Sequence, residues 1–299
     1  MLISNARAGS VSTRTKEVIV KSLQADFKLE VVDTASRNHA SELARDAVDR
    51  DFDAVLAFGG DGTINEAAQG LVGTDVALGV IPGGSTNVMA RSLGIPRSPV
   101  DATAFVASRL RSATRRRVNV GRINSRYFLF SAGMGLDAEV ARRVEADPEG
   151  KRDRGEWLFV KHAFQAGLSQ YRGADPWIEL RVEGEEPVRG ILLVCCKGRP
   201  FTYFKRFPVD ACPEARLDLD LDAFVMKRMR SSTVPRLVWA LFVSRSHVRW
   251  KRSGAYFHDF PRATVVADRP TPVQVDGDYI GEWDEATLDT VPSALSLVV

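Results

Sequence analysis

The first third of the chain alternates short apolar runs with longer segments whose apolar residues recur at helical spacing. The runs that predict buried strands cover residues 2–4, 29–32, 54–58 and 77–81. The segments that predict helices cover residues 13–24, 38–50, 65–71 and 88–93. Strands that alternate with helices in this way indicate an α/β fold with a doubly wound, mostly parallel sheet.

The pattern changes near residue 115, where short β-like runs replace the alternation. They cover residues 118–123, 126–131, 177–182, 190–195, 217–221, 264–267 and 273–275. Such spacing is typical of an antiparallel, sandwich-like all-β domain. Two segments of helical character, 154–171 and 231–245, interrupt it as insertions.

Three polar loops that contain glycine follow predicted strands of the first region, at residues 5–10, 59–63 and 83–87. Ligands of open α/β sheets bind outside the carboxyl ends of the strands. We therefore expect the three loops to converge on one crevice.

The middle loop contains Gly59, Gly60 and Gly62, directly before a predicted helix. Glycines allow positive φ and let a phosphate group approach the backbone, and the helix start supplies N–H groups and a positive dipole end. Asp61 lies among them, where a divalent cation could link its carboxylate to phosphates. The pattern favours a nucleoside triphosphate site over an ordinary glycine turn, which remains the alternative.

Thr63 and Glu66 have the S/T-x-x-E spacing of a capping box, which predicts a helix start at this loop. No Gly-Lys-Ser/Thr follows, so the loop is not a Walker A motif, and the spacing is not that of a dinucleotide fingerprint.

Composition narrows the picture only a little. The 299 residues are 44% apolar and 26% charged, with a net charge of +3, which is ordinary for a globular protein. The three cysteines give no disulfide or metal spacing, and no signal peptide or membrane span is evident. We expect a cytoplasmic protein that reaches any lipid from the membrane surface.

One segment of the second region combines basic and aromatic residues. Between Lys227 and Arg252 there are eight basic residues and no acidic one, with Trp239, Phe242 and Trp250 interleaved. This composition suits an anionic membrane surface. The alternative is a helix packed on the core with a solvated basic rim. No nucleic-acid-binding module accompanies the segment, so we expect no nucleic acid partner.

The loop sequences resemble the catalytic family of diacylglycerol kinases, which includes sphingosine and ceramide kinases and bacterial soluble lipid kinases. The segments that carry the resemblance are Gly-Gly-Asp-Gly-Thr-Ile-Asn-Glu at 59–66, Pro-Gly-Gly-Ser-Thr-Asn-Val-Met-Ala-Arg at 82–91, Asn-Ala-Arg-Ala-Gly at 5–9, Ser-Ala-Gly-Met-Gly-Leu-Asp-Ala at 131–138 and Val-Asp-Gly-Asp at 275–278. The combination is more specific than any single segment.

The resemblance implies a nucleotide-binding α/β domain at residues 1–115, to which a last strand at 288–299 returns, and a β-rich lipid-substrate domain at 116–287. It implies ATP and Mg²⁺ as cofactors, with Asp61 on the metal–phosphate side and Asp278 as catalytic base. The residues implied to contact ATP are Asn5, Ala6, Arg7, Ala8, Gly9, Thr34, Gly59, Gly60, Asp61, Gly62, Thr63, Ile64, Asn65, Glu66, Ser85, Thr86 and Asn87.

The implied activity is transfer of the γ-phosphate of ATP to a lipid hydroxyl, most simply that of diacylglycerol to give phosphatidic acid. A sphingoid or other lipid kinase, an NAD kinase, and a catalytically weak nucleotide- or lipid-binding homologue are the alternatives. The expected site of action is a membrane surface, and a homodimer is left open.

Two positions depart from the family pattern. Asp278 replaces a glutamate and is one methylene shorter. The segment at 213–220, which in bacterial members holds a structural magnesium ion, keeps Asp218 as its metal ligand but lacks the second aspartate of the motif and its glycine. Cys195-Cys196-Lys197 also stands where relatives usually have an asparagine.

Overall fold

The computed structural model describes residues 1–5, 12–147, 150, 156–169, 171–230 and 233–299. The chain divides into two compact units. Unit 1 comprises residues 1–120 together with 292–299, and unit 2 comprises residues 121–291. The boundaries expected from the sequence, at 115 and 288, lie a few residues away.

Unit 1 is a parallel sheet with helices between its strands. Its strands are β1 (Leu2–Ser4), β2 (Val31–Asp33), β3 (Ala54–Gly59) and β4 (Ala77–Pro82). Its helices are α1 (Thr13–Gln24), α2 (His39–Asp49), α3 (Asp61–Leu71), α4 (Val88–Ser92) and α5 (Pro99–Arg111). The strand order is β2-β1-β3-β4, and all three pairs are parallel. The predicted α/β fold is confirmed.

Alternation along β3 explains how the helices cover this sheet. Leu56 and Phe58 are buried in one core with Ile19 of α1 and Val106 of α5. Since successive side chains of a strand point to opposite faces, Val55 and Ala57 face the other side. Helices α2 and α3 pack against each other.

The start of α3 differs from the sequence expectation. The helix begins at Asp61, four residues before the predicted start, with Gly60 as N-cap and no side-chain capping bond. The predicted capping box is therefore wrong, because Thr63 already lies inside the first turn. Glu66 instead accepts a hydrogen bond from the backbone N–H of Ala40 at 3.3 Å, which joins α3 to α2. Helix α5 was not anticipated, although Ser98 caps it and Pro99 opens it.

Unit 2 is rich in antiparallel strands. They are β5 (Arg116–Ile123), which begins in unit 1, β6 (Arg126–Phe128), β7 (Ser131–Gly135), β8 (Ile178–Val182), β9 (Val188–Gly190), β10 (Leu192–Cys196), β11 (Thr202–Phe204), β12 (Phe207–Val209), β13 (Leu221–Met226), β14 (Gly254–Phe260), β15 (Arg262–Val275) and β16 (Asp278–Leu297), which ends in unit 1. The order β14-β13-β10-β7-β15 is antiparallel throughout, which confirms the predicted β-rich domain.

Helical insertions interrupt these strands. They are α6 (Leu136–Glu145), α7 (Glu156–Ser169) and α8 (Thr233–Trp239), the last continued by a π-helical turn at Ala240–Ser244. Helix α6 was not expected from the sequence. The strand predicted at 217–221 is wrong except for its last residue, since β13 begins at Leu221.

In the part of the chain that the structure describes, no helix has the length and apolar character needed to cross a membrane.

Candidate active site

The carboxyl edge of the unit 1 sheet brings the first and second glycine loops together. The backbone N–H of Asn5 donates to the carbonyl oxygen of Phe58 at 3.0 Å. Its side-chain amide donates to the Thr63 hydroxyl at 3.1 Å, so the residue after β1 holds the first turn of α3. The remaining predicted residues of this loop, Ala6, Arg7, Ala8 and Gly9, lie outside the described residues.

The second and third loops meet through their backbones. The N–H of Gly83 donates to the carbonyl of Gly59 at 2.7 Å. A Cβ atom on Gly84 would lie 2.7 Å from the Cα of Gly60, closer than real Cβ contacts allow. Gly84 is therefore required by the close approach of the two loops. The described residues of the three loops contact one another, and their convergence on one crevice stays a prediction.

The glycines of the second loop serve close packing rather than unusual dihedral angles. Gly59, Gly60 and Gly62 do not adopt the positive φ that glycine allows. A Cβ atom on Gly59 would come within 2.6 Å of the Thr63 hydroxyl oxygen. Glycine at 59 thus makes room for the threonine that receives the Asn5 amide.

The Asp61 carboxylate joins the second loop to helix α4. Its Oδ2 accepts the backbone N–H of Val88 at 2.9 Å and its Oδ1 that of Met89 at 3.1 Å. The first N–H groups of a helix lack intrahelical acceptors, and an acidic side chain there is favourable. Asp61 therefore has a structural partner, and its assignment to magnesium stays a prediction.

Asn87 gives the third loop its shape. It adopts a left-handed backbone conformation with φ 50°, which asparagine tolerates better than most residues. Its side chain accepts the N–H of Gly84 at 2.8 Å and donates to the Gly84 carbonyl at 2.7 Å. This double hydrogen bond closes the turn that carries Ser85 and Thr86.

A cleft of about 440 Å³ opens beside the third loop. Ser85, Thr86 and Asn87 line it on one side, and Arg91 and Arg97 are also at its wall. Hydroxyl, amide and guanidinium groups around one cavity provide donors for anionic oxygen atoms. The residues present fit the phosphates of a nucleotide.

The other residues expected to contact ATP occupy varied positions. Thr34 follows β2 and donates its N–H to the carbonyl of Ser4 at 2.9 Å. Ile64 is buried and its N–H bonds to the Gly60 carbonyl. Asn65 is buried as well and accepts the Gln69 amide at 3.1 Å. The role of these residues toward ATP stays a prediction.

In unit 2, the motif at 275–278 forms the hairpin turn between β15 and β16. Asp276 and Gly277 occupy the two turn positions with φ 48° and 87°, the left-handed pair that a tight hairpin needs. Asp278, the predicted base, is half-buried and pairs with Val275 as the first residue of β16.

Asp276 has a different task from Asp278. Its buried carboxylate accepts the backbone N–H groups of Leu129, Phe130 and Ser131 at 2.8, 3.0 and 2.9 Å. The hairpin is thereby tied to the segment that enters β7. Loss of Asp276 is therefore expected to act through stability.

A second buried carboxylate supports the same turn through Gln274. The side chain of Gln274 accepts the N–H of Gly277 at 2.8 Å and donates to Asp137 at 3.0 Å. Burial raises the pKa of Asp137 to about 7, while the hydrogen bond from Gln274 opposes the rise. Asp137 and Gln274 thus fix the turn directly before the predicted base.

The predicted magnesium site at Asp218 does not fit the residues present. Both carboxylate oxygens of Asp218 accept hydrogen bonds from the Arg216 guanidinium, at 2.9 and 2.7 Å. The Lys197 ammonium donates to three backbone carbonyl oxygens of the same bend. Burial lowers the pKa of Lys197 to about 8, and the charge of Asp220 opposes the decrease, so the group stays protonated at neutral pH.

Several of these contacts were not anticipated from the sequence. Asp137 lies in a recognised motif, but its burial depends on α6, which had not been expected. Lys197 follows two cysteines at the end of β10, and the only signal was that it departs from the family pattern. Arg97 carries no local signal, because it lines the cleft through the unexpected start of α5.

The fold is that of an α/β protein whose loops join at the carboxyl edge of a parallel sheet, the edge at which open α/β sheets bind ligands. Residues 1–123 match the family described as the diacylglycerol kinase catalytic domain. The resemblance to diacylglycerol kinases expected from the sequence is confirmed over that segment.

The relatives carry the same description. A diacylglycerol kinase of Bacillus subtilis is 39% identical over 130 residues, which are 43% of this chain and 42% of that protein. The match thus spans less than half the length of that relative. A diacylglycerol kinase of Staphylococcus saprophyticus is 23% identical over 271 residues, which cover 89% of this chain and 83% of the relative.

Two solved structures share the fold. A protein of Bacillus anthracis assigned as a diacylglycerol kinase superposes with a TM-score of 0.78 at 21% identity, covering 99% of this chain and 96% of that one. An NAD kinase of Archaeoglobus fulgidus in complex with ATP gives a TM-score of 0.51 at 13% identity, covering 100% and 92%.

Proposed function

We propose that this protein transfers the γ-phosphate of ATP to the hydroxyl group of a membrane lipid, and that diacylglycerol is the acceptor, giving phosphatidic acid. The observation that carries the proposal is the junction of glycine loops in unit 1, where Asn5 bonds to Thr63, Gly83 bonds to Gly59 and Asp61 bonds to α4. This junction lies within the segment that matches the diacylglycerol kinase catalytic domain.

The loops would hold the nucleotide. Phosphoryl transfer depends mainly on positioning and charge neutralisation. Ser85 and Thr86 offer hydroxyl donors and Arg91 and Arg97 offer positive charge at the cleft. The N–H groups in the first turn of α3 have no acceptor inside the helix and suit an anionic oxygen. Mg²⁺, when bound with ATP, would neutralise phosphate charge on the side of Asp61.

Asp278 would accept the proton of the lipid hydroxyl as the new bond forms between that oxygen and the γ-phosphorus. The bond from the γ-phosphorus to the bridging oxygen breaks, and ADP leaves with the electron pair. Asp276, Gln274 and Asp137 would keep the turn before Asp278 in one conformation. This division of labour makes Asp278 the catalytic residue and the other three positioning residues.

The direct test measures transfer of radiolabelled phosphate from ATP to a panel of lipid alcohols in mixed micelles, with NAD as a further acceptor. We expect labelled phosphatidic acid from diacylglycerol. Transfer only to a sphingoid base would correct the acceptor, and transfer only to NAD would overturn the lipid kinase assignment.

The role of Asp278 is tested in the same assay. Asp278→Asn should lower turnover by about 10²–10⁴-fold, the usual contribution of a general base, with ATP binding unchanged. Asp278→Glu should keep or raise turnover, because glutamate restores the reach that relatives have. Asp284→Asn, an exposed aspartate of the same strand, is the control. Wild-type turnover in Asp278→Asn together with loss in Asp276→Asn would move the base to Asp276.

We also propose that the enzyme meets its lipid through an aromatic face on unit 2, which comprises Trp157, Phe204, Phe207, Trp239, Phe242 and Val243. Trp157 and Phe242 both contact Phe204 edge to face, with ring centroids 5.0 and 6.4 Å apart. Trp239 is 61% exposed. Exposed aromatic side chains rimmed by cations are typical of proteins that bind at a membrane interface.

Cations lie around this aromatic face. Lys205 stacks over the Trp157 ring at 5.5 Å and Arg206 over Phe207 at 5.2 Å. Within the segment from Lys227 to Arg252 the positive charge is partly neutralised, since Arg245 pairs with Asp210 at 3.0 Å and Arg228 with Asp175 at 3.4 Å. Trp250 is buried there, so the segment has a core-packed side as well as an exposed one.

Liposome co-sedimentation tests the aromatic face. Binding should increase with the fraction of anionic lipid and weaken with salt, because surface charges are screened over about 10 Å at 0.1 M. Trp239→Ser should weaken binding, whereas Val18→Ser, at an apolar position of unit 1 that is 44% exposed, should not. If liposome binding changes neither with salt nor in Trp239→Ser, this proposal is wrong. The result of the phosphotransfer assay does not depend on that outcome.

A further inference from the structure

Lys197 has an unusual environment in unit 2. It directly follows β10, and its side chain is completely buried. The ammonium nitrogen donates to the carbonyl oxygens of Arg216 at 3.0 Å, Leu219 at 2.5 Å and Asp220 at 3.3 Å. An ammonium group has three hydrogen-bond donors, so every N–H of Lys197 has a backbone acceptor.

The bend at residues 216–220 therefore directs several carbonyl oxygens toward one point. Backbone carbonyls gathered in this way are characteristic ligands of hard cations such as Ca²⁺ and Mg²⁺. Without a positive group among them, these partly buried carbonyl oxygens would lose the partner that they have in Lys197, which is destabilising. Hydrogen bonds from a charged donor are about twice as strong as neutral ones, so the ammonium suits this position.

Two carboxylates near the bend, those of Asp218 and Asp222, have protein partners. Asp218 is bound through both oxygens to Arg216, and its side chain is 46% exposed. Asp222 accepts hydrogen bonds from Tyr256, from His258 and from the N–H of Asp259. Among the described residues no group of three or more His, Cys, Asp or Glu side chains is arranged to hold a metal ion.

We propose that the Lys197 ammonium is the built-in cation of this bend and takes the place of a bound divalent metal ion. The bend, and the entry into β13 that follows it, are then ordered without metal. The proposal concerns the structure of unit 2 and does not depend on the reaction assigned above. It also accounts for the disagreement between Asp218 and the family's magnesium site.

A trypsin-sensitive bond within the bend can be used to measure its local opening. Trypsin cleaves after arginine, and the Arg216–Leu217 bond lies inside the bend, where the Arg216 carbonyl accepts from Lys197. Cleavage at this bond, followed by mass spectrometry without nucleotide, measures local opening. In the wild type the rate should be the same in excess EDTA and in excess Mg²⁺.

Lys197→Met keeps the side-chain volume and removes the donors. We expect cleavage at Arg216–Leu217 to become about tenfold faster or more, and the melting temperature to fall by roughly 5–10 °C. Lys161→Met, which removes the same charge from an exposed position of α7, should change neither. If Lys197→Met does not fold, Lys197→Gln retains two N–H donors without the charge and should shift both readouts less, in the same direction.

Asp218→Asn tests the alternative, that a metal ion is bound at Asp218. Its melting temperature should respond to Mg²⁺ and EDTA as the wild type does. A wild-type melting temperature that falls in EDTA, together with loss of that response in Asp218→Asn, would establish a metal at Asp218 and overturn the proposal. Unchanged cleavage and melting in Lys197→Met would overturn it as well.

Discussion

Loops in the two units are held by charged side chains, an acidic one in unit 1 and one of each sign in unit 2. In unit 1, the Asp61 carboxylate accepts the N–H groups of Val88 and Met89 at the start of α4. In unit 2, the Lys197 ammonium donates to three carbonyls of the 216–220 bend. The third anchor, Asp276, again accepts backbone N–H groups.

The sign of each anchor follows from the backbone that it meets. The start of a helix presents N–H groups without intrahelical acceptors, so Asp61 is acidic. The 216–220 bend presents carbonyl oxygens, so Lys197 is basic. A charged residue inside a loop therefore needs to be compared with the backbone groups it faces before it is assigned to a ligand or a metal.

The strongest test of this comparison is Asp276. Replacement by alanine leaves three buried N–H groups without an acceptor, so the free energy of unfolding should fall by about 4–6 kcal/mol. Asp276→Asn, which keeps one acceptor oxygen, should lose less. Urea denaturation measures both. Equal stability of Asp276→Ala and the wild type would show that the carboxylate does not anchor the turn.

Asp137 should make the free energy of unfolding depend on pH. Burial raises its pKa from the ordinary 3.8 to about 7. Between these values the folded state binds more protons than the unfolded state, so the free energy of unfolding falls as pH rises. The decrease between pH 4 and 7 should approach about 4 kcal/mol.

Asp137→Asn should flatten this dependence, because an amide does not titrate in that range. Urea denaturation at several pH values measures the slope, with Asp284→Asn as the control at an exposed position. The same slope in Asp137→Asn and the wild type would contradict the assignment.

Asp61 should show an intermediate effect on stability. Asp61→Ala removes the acceptor of two backbone N–H groups, so the free energy of unfolding should fall by about 2–4 kcal/mol. Phosphoryl transfer should be lost as well. Wild-type stability of Asp61→Ala would show that Asp61 acts only in nucleotide binding. Near-normal turnover at saturating Mg²⁺ would show that it acts only in holding the loop.

Asn5 should give the smallest change. Asn5→Ala removes one neutral hydrogen bond to Thr63, which contributes about 1 kcal/mol. ATP affinity should fall more than this small loss of stability suggests, because the amide orients the first turn of α3. Isothermal titration with a non-hydrolysable ATP analogue measures it. Unchanged affinity would make Asn5 a purely structural residue.

Local sequence patterns were sufficient to predict most helices and strands of unit 1. Helix α1 covers the predicted residues, and β3 and β4 each extend the predicted run by one residue, because apolar runs and helical periodicity are local properties. The start of α3 could not be placed in this way, since Gly60 caps it through backbone geometry and not through a side-chain motif.

In unit 2, the sequence was not sufficient to predict the contacts of several charged side chains. The motif at 275–278 led to a predicted role for Asp278, whereas the buried contacts of Asp276 became evident only in the structure. The environment of Lys197 could not be predicted, because it depends on carbonyls some twenty residues later in the chain. The alternation of leucine and aspartate at 217–221 is typical of a strand, but residues 216–220 form a bend whose carbonyl oxygens accept from Lys197.

The strand that completes unit 1 is synthesised after unit 2. Unit 1 needs residues 292–299, where Leu297 pairs with Leu78 of β4 and both leucines are fully buried. A ribosome makes all of unit 2 before it makes this strand. During translation the nascent parallel sheet therefore has an unpaired apolar edge at β4, the kind of edge that chaperones and aggregating chains recognise. Loss of the last eight residues would consequently damage the domain that begins the chain.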